Sequence, residues 1–414
     1  MNPCSGCSSK EYCNPCNSTR FRDNFAYWTS DDSKLDILIQ NSQLNAHSSR
    51  ELIEWIDYSN FKNIELIAHG GFGSVYKAIW KDGPLTEQAW DIDYSIWKRR
   101  HNQEVVIKKF QNVTHVSPEL LNEININSRL CFEFNRDEII TIYGVTRDPQ
   151  SAEYGIVTKF INGGNLREMI KKNHSSLTWE IVLNILFYVC MGLRHVHYKN
   201  YCHKDLHSGN ILINNLNIRL GIIESAISDF GLCRPMDQSS TDKTICGVLP
   251  FVAPEVLLGR EYTKAADIYG IGMLMAEVIS GEPPFADRDY DENLALAICF
   301  GQRPHIPEYT PEPYAALMKR CWDPIPTNRP TAIELNEQIF DLELGLDKES
   351  RLEIIKEFSK EREDKWKARL AELATNPIPL KESQNLLTSK RLDYSQYLSQ
   401  KLTVEDWNKL KLID

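Results

Sequence analysis

Cys202-His203-Lys204-Asp205-Leu206-His207-Ser208-Gly209-Asn210-Ile211-Leu212 follows a long apolar run and opens a β-branched one. The run before it, Ile181–Leu193, has helical spacing and the run after it is strand-like. Asp205 and Asn210 stand five residues apart on one loop, so both can face a cleft. A carboxylate there can orient and deprotonate a hydroxyl, and an amide can take a metal. Ser228-Asp229-Phe230-Gly231 comes 24 residues after Asp205, past a second strand. It supplies another carboxylate, suited to Mg²⁺, a hard ion that prefers oxygen ligands. An ordinary polar loop accounts poorly for two such motifs at this spacing.

Towards the N-terminus, two strand-like runs flank Ile67-Ala68-His69-Gly70-Gly71-Phe72-Gly73-Ser74-Val75. Glycines there let a backbone approach a phosphate closely, although a plain hairpin turn would look the same. Val105-Val106-Ile107-Lys108 ends an apolar strand on one lysine. A buried ammonium needs an anion, either a phosphate or a carboxylate. The helix that follows offers Glu123, with Glu119 one turn earlier as the competitor. By strand alternation, Lys109 is expected on the opposite face, towards solvent.

Four short motifs in this order resemble a protein kinase catalytic domain over about 59–345. Val252-Ala253-Pro254-Glu255 is similar to the family's Ala-Pro-Glu motif, and Asp267 to its structural aspartate. Arg329 resembles the arginine that pairs with that glutamate. Cys321-Trp322-Asp323-Pro324 resembles the end of tyrosine-kinase and tyrosine-kinase-like domains, and the tyrosine-kinase-like group fits best, including the expanded sets in fungi.

The resemblance implies an α+β bilobal fold, with a β-rich lobe at 59–161 and an α-rich lobe at 162–345. It implies that Lys108 holds the α- and β-phosphates of ATP and pairs with Glu123. Asn210 and Asp229 would then hold Mg²⁺, and Asp205 would direct the substrate proton. Thr158 falls at the gatekeeper position, and the hinge is about Lys159, Phe160, Ile161 and Asn162. Ile67, Ala68, Gly70, Gly71, Phe72, Gly73 and Val75 would cover the nucleotide. The implied activity is transfer of the γ-phosphate to protein hydroxyls, Ser/Thr ahead of Tyr, in intracellular signalling. The rival reading is a pseudokinase scaffold that binds without catalysis.

Four positions depart from the family pattern. Ala68 replaces the first loop glycine, which is tolerable at negative φ. Lys204 replaces the arginine before Asp205, and lysine meets a phosphate without arginine's fork. His207 stands where many Ser/Thr kinases carry lysine. Gly247-Val248 lacks the threonine hydroxyl that contacts Asp205. Ser239, Ser240, Thr241 and Thr244 are the expected sites of any activation-loop phosphate.

The remaining segments are read from composition. Residues 1–20 hold Cys4, Cys7, Cys13 and Cys16, two C-x₂-C pairs. Such pairs suit a tetrahedral Zn²⁺ site, with two disulfides or a loose tail as alternatives. Residues 21–58 read as a polar helical connector, and 346–414 as a charged helical tail broken near Pro377 and Pro379. Either the knuckle or the tail could dock a partner protein. Trp80 to Asn102 is long for a strand connection, and Trp90 and Trp97 suggest that it packs on the small lobe. A net charge of −10 argues against nucleic acid as the main partner. No signal peptide is visible, and the longest apolar run is too short and interrupted to span a bilayer. Single cysteines in apolar contexts, such as Cys190, Cys299 and Cys321, point to a reducing compartment, the cytosol with nuclear access.

Overall fold

The computed structural model describes residues 12–401 apart from 71–72, 92, 111–114, 131–137, 174–175, 218–221, 236–244, 348–351, 378, 380–386, 388 and 393. The chain divides into two compact units, one up to Phe160 and one from Ile161.

The smaller unit is built on a six-stranded sheet. Its strands are β1 (Glu54–Trp55), β2 (Phe61–Gly70), β3 (Gly73–Trp80), β6 (Gln103–Phe110), β7 (Ile142–Arg147) and β8 (Tyr154–Lys159). The order is β1-β7-β8-β6-β3-β2, antiparallel except for β1 on β7. The strands are rich in β-branched and aromatic residues, as half-buried pleated surfaces favour. One face packs against α3 (Pro118–Leu130) through Leu120, Ile124, Phe110, Val145 and Ile156.

The residues read as a connector belong to this core. Helices α1 (Asn14–Asn24) and α2 (Ser33–Asn45) precede β1. Asp32 caps α2 by accepting from the Lys34 and Leu35 amides. Leu35, Ile39 and Ile53 are fully buried in the α3 cluster. The 80–102 connection forms a hairpin of β4 (Leu85–Asp91) and β5 (Ile96–Arg99). Trp97 stacks on Phe21 of α1 at 4.5 Å, and the Arg20 guanidinium lies 4.4 Å from the Trp90 ring centre. The hairpin tryptophans are therefore clamped by the N-terminal helix.

The larger unit is mainly helical: α4 (Leu166–Lys172), α5 (Trp179–Tyr198), α6 (Pro254–Leu257), α7 (Lys264–Ser280), α8 (Glu292–Cys299), α9 (Glu312–Cys321), α10 (Ala332–Asp347), α11 (Leu352–Glu357), α12 (Lys360–Thr375) and α13 (Ser395–Lys401). Helix α5 has the length and apolarity of a membrane span, yet Leu183, Leu186, Val189, Cys190 and Leu193 are buried inside the unit. Short strands complete it: β9 (Tyr201–Cys202), β10 (Ile211–Asn217), β11 (Ile222–Ile227), β12 (Arg234–Pro235), β13 (Ile245–Gly247) and β14 (Lys390–Leu392).

The segment after α10 packs into this unit. Trp366 of α12 is fully buried and stacks on Trp179 at 4.6 Å. Leu370 lies so close to Gly281 that a Cβ there would meet it at 2.4 Å. Gly281 also caps α7 at φ 76°, a left-handed conformation that glycine adopts without strain. Residues 402–414 of the tail lie outside the described residues.

Removing buried side chains from these flanking segments should cost core-type energies. Leu35→Ala should destabilise by about 2–5 kcal/mol and Trp366→Ala by about 3–5 kcal/mol in urea unfolding. Values within about 0.5 kcal/mol of wild type would mean that both segments are solvent-exposed appendages.

Candidate active site

In the smaller unit, β3 pairs with β6 so that Val75 faces Lys108 and Gly73 faces Phe110. A Cβ on Gly73 would meet the Lys109 carbonyl oxygen at 1.9 Å, so only glycine fits this close strand pairing. Ala68 pairs with Val75 in the extended β2 and is not among the positive-φ residues, so its methyl is accommodated. Gly70 pairs with Gly73 across the turn, while Gly71 and Phe72 lie outside the described residues.

The Lys108 ammonium lies 3.2 and 3.3 Å from the two Glu123 carboxylate oxygens. Glu123 is 5 % exposed, so this carboxylate is buried with its cation beside it. Thr158 sits mid-sheet, opposite Val106 on β6 and Ile142 on β7. Lys159 and Phe160 follow on the same strand end, where the Lys77 ammonium lies 4.1 Å from the Phe160 ring centre.

Lys109 corrects the sequence reading. It does point away from Lys108, but that face is not solvent. Its ammonium pairs with Asp148, lies over Tyr58 and Tyr76, and is only 6 % exposed. Burial alone would lower its pKa, but the Asp148 carboxylate and Tyr58 hydroxyl hold it above the ordinary value.

In the larger unit, the loop after α5 is fixed by a buried carboxylate. Asp267 on α7 is 0 % exposed and accepts from the His203 amide at 2.9 Å and the Lys204 amide at 2.9 Å. His197 Nε2 lies 2.8 Å away and the Tyr262 hydroxyl donates at 3.1 Å. Burial pushes the Asp267 pKa up, but the bonds from His197 and the Lys204 amide outweigh it, so the carboxyl stays below the usual range. Those bonds hold Lys204 at φ 72°, a strained conformation for a side-chain-bearing residue. The next residue is Asp205, 4 % exposed.

The β10–β11 hairpin then brings the other two residues together. Ile211 pairs with Ile227, so Asn210 and Asp229 flank one end of it. The Ser228 amide and hydroxyl both donate to the Asn210 carbonyl, at 2.9 and 3.0 Å. Asp229 itself is strained at φ 63°. The Asn210 amide nitrogen donates to the Asp205 carbonyl at 2.9 Å and to its Oδ2 at 3.2 Å. The opposite end of that amide is a carbonyl oxygen. With the Asp229 carboxylate it makes an oxygen-only donor set of the kind Mg²⁺ takes.

Two buried histidines frame Asp205. His203 Nδ1 accepts from the Asp205 amide at 3.3 Å, so its proton sits on Nε2, which donates to the Ser228 carbonyl at 3.1 Å. His207 Nδ1 accepts from the Gly209 amide at 3.1 Å, which puts its proton on Nε2 as well. That nitrogen is 3.7 Å from Asp205 Oδ1. Val248 is buried nearby, and Arg329 grips Glu255 in a two-pronged ion pair at 2.7 and 2.8 Å.

One participant was not legible in the sequence. Ser389 is buried, and its hydroxyl donates to Asp205 Oδ2. His207 Nε2 reaches the same hydroxyl at 3.3 Å. Nothing local marks Ser389, which lies 184 residues from Asp205 in the chain.

Among the proposed cysteine ligands, Cys13 precedes α1 as its cap residue and Cys16 lies in its first turn. Cys4 and Cys7 lie outside the described residues, as do Ser239, Ser240, Thr241 and Thr244. Among the described residues, no cluster of three or more His, Cys, Asp or Glu could hold a metal.

The model of the protein tyrosine and serine/threonine kinase family matches residues 61–339. The chain is 29% identical over 297 residues to a serine/threonine-protein kinase/receptor of Acanthamoeba polyphaga mimivirus, covering 70% of this chain and 16% of that one. It is 27% identical over 271 residues to the probable serine/threonine-protein kinase drkD of Dictyostelium discoideum, covering 65% and 19%. It is 28% identical over 298 residues to mitogen-activated protein kinase kinase kinase 10 of Xenopus laevis, covering 70% and 27%. The chain thus spans only a minor part of each relative's length.

The buried histidines make stability depend on pH. Burial lowers the His203 pKa below 6.5, and burial with Arg167 nearby lowers that of His207 to about 3. Between those values and 6.5 the unfolded chain binds protons that the folded chain refuses, so stability is lost as pH falls below about 6.5. Asp267, with a lowered carboxyl pKa, acts only at more acidic pH. The urea midpoint should therefore fall from pH 8 to pH 5, less steeply in His203→Gln or His207→Gln. A flat wild-type profile would contradict neutral buried histidines.

Proposed function

Because the chain belongs to the protein tyrosine and serine/threonine kinase family, we propose that it moves the γ-phosphate of ATP onto serine or threonine hydroxyls of proteins. The observation that carries this is the hydrogen-bonded set of Asp205 and Asn210 with Asp229 at the same hairpin end. Asp205 would take the acceptor proton. Asn210 and Asp229 would hold Mg²⁺, which when bound neutralises charge on the transferring phosphoryl group. Lys108, kept in place by Glu123, would hold the α- and β-phosphates. Ile67, Ala68, Gly70, Gly71, Phe72, Gly73 and Val75, with Thr158, Lys159, Phe160 and Ile161, would surround the nucleotide. The preference for serine and threonine rests on the names of the relatives.

The same reading extends to two finer points. Cys4, Cys7, Cys13 and Cys16 are proposed to hold a structural Zn²⁺, supported by their paired spacing; the metal content of the purified chain decides it. A cytoplasmic location, with nuclear access, is supported by the scattered single cysteines, and a fluorescent fusion tests it.

The direct test of activity is a peptide array carrying Ser, Thr and Tyr acceptors, incubated with the protein and Mg-ATP. Label should appear on Ser and Thr peptides and fall by about 10²–10⁴-fold in Asp205→Asn, the usual contribution of a positioned proton acceptor. No label, or equal label in Asp205→Asn, would defeat the proposal.

A further inference from the structure

Leu387, Ser389, β14 and α13 pack within the larger unit in a way that its helical packing alone does not require. β14 pairs antiparallel with β13, the strand just before Val248, with Lys390 opposite Gly247, Cys246 opposite Arg391 and Ile245 opposite Leu392. Arg167 donates to the Leu387 carbonyl at 3.0 Å. Leu387, Leu392 and Leu398 are buried, and the Tyr397 hydroxyl reaches Asn293 on α8 at 2.9 Å. An isolated two-stranded pair is marginal in water, so these anchors are what hold it. Backbone pairing of an extended segment with an exposed strand is a common way to seat a peptide.

Ser389 is the residue this seating delivers to Asp205. The hydrogen-bond directions are fixed one after another. The Gly209 amide occupies His207 Nδ1, so His207 Nε2 carries the proton and donates to Ser389 Oγ. The serine hydrogen must then point to Asp205 Oδ2, where the bond is found. This leaves the second lone pair of Oγ as the nucleophile. A buried serine serving only as packing would not need its proton aimed at this one carboxylate.

We propose that Ser389 is a phosphoacceptor of the chain's own kinase activity, presented in cis, and that the unmodified Ser389 with β14 occludes the acceptor site. This rests on the kinase reading above. Ser389 Oγ forms a bond to the γ-phosphorus of ATP, and the bond from that phosphorus to the β,γ-bridging oxygen breaks. The electron pair leaves on ADP, and the hydroxyl proton passes to Asp205 Oδ2. The phosphate then carries about −1.5 to −2 charges beside Asp205, which disfavours the docked state and frees the site. His207 is a positioning residue: it orients the acceptor through its Nε2 proton, in a place where the family often carries lysine.

The test uses the full chain with Mg-ATP, phosphosite mapping by mass spectrometry, and dephosphorylated casein as an added acceptor. Phosphate should appear on Ser389 at a rate constant independent of protein concentration. Leu392→Asp, which breaks the strand anchor, should slow Ser389 labelling on the order of tenfold as effective concentration is lost. The same variant should raise the initial rate on casein. Casein labelled while Ser389 stays unmodified would overturn this proposal and leave the kinase reading intact. A rate proportional to protein concentration would do the same, since the transfer would then be between molecules. Label on neither acceptor, in wild type and Leu392→Asp alike, would sink the kinase reading and this proposal with it.

Discussion

The buried carboxylate of Asp267 holds the loop on which the rest of the larger unit's site depends. It gathers the His203 and Lys204 amides, His197 and the Tyr262 hydroxyl in a space without solvent. Hydrogen bonds to a buried charge are the strong kind, so they can sustain the left-handed Lys204 that precedes Asp205. Losing any one of them would leave this buried carboxylate short of a donor, which costs more than the bond itself is worth. The β10–β11 hairpin adds Asn210 and Asp229 to that fixed frame, and the serine hydroxyl adds the acceptor.

Much of this was legible because the relevant residues are close in sequence. Asp205 and Asn210 share one loop, and Asp229 follows a short hairpin, so local spacing reports their proximity. Lys108 ends a strand and Glu123 lies on the next helix, so the pair could be named as a candidate from the sequence, and the two side chains meet. Lys109 shows where that logic stops. Alternation says which face a side chain takes, but not that Tyr58, Tyr76 and Asp148 close over that face.

The flanking segments were less legible for a related reason. The connector at 21–58 and the charged tail at 346–414 are polar overall, and among the described residues few side chains of either are buried. Leu35, Ile39 and Ile53 are buried at one end of the chain, and Trp366 and Leu370 at the other. Their partners are Ile124 and Val145, and Trp179 and Gly281, none of which is a sequence neighbour. Ser389 is the extreme case, since its whole meaning comes from Asp205, His207 and β13. Val248 and His207 were read only as departures from a pattern. In the fold they sit beside a strand that accepts the chain's own β14, and His207 has a serine to orient.

Autophosphorylation in cis requires that β14 rests on β13 in solution with Ser389 at Asp205. Hydrogen exchange of the backbone amides measures this without reference to activity. In the unphosphorylated wild type, the amides of Ile245–Gly247 and Lys390–Leu392 should be protected together, and Ser389→Glu should release both stretches. Exchange at unprotected rates across both stretches in the wild type would contradict it.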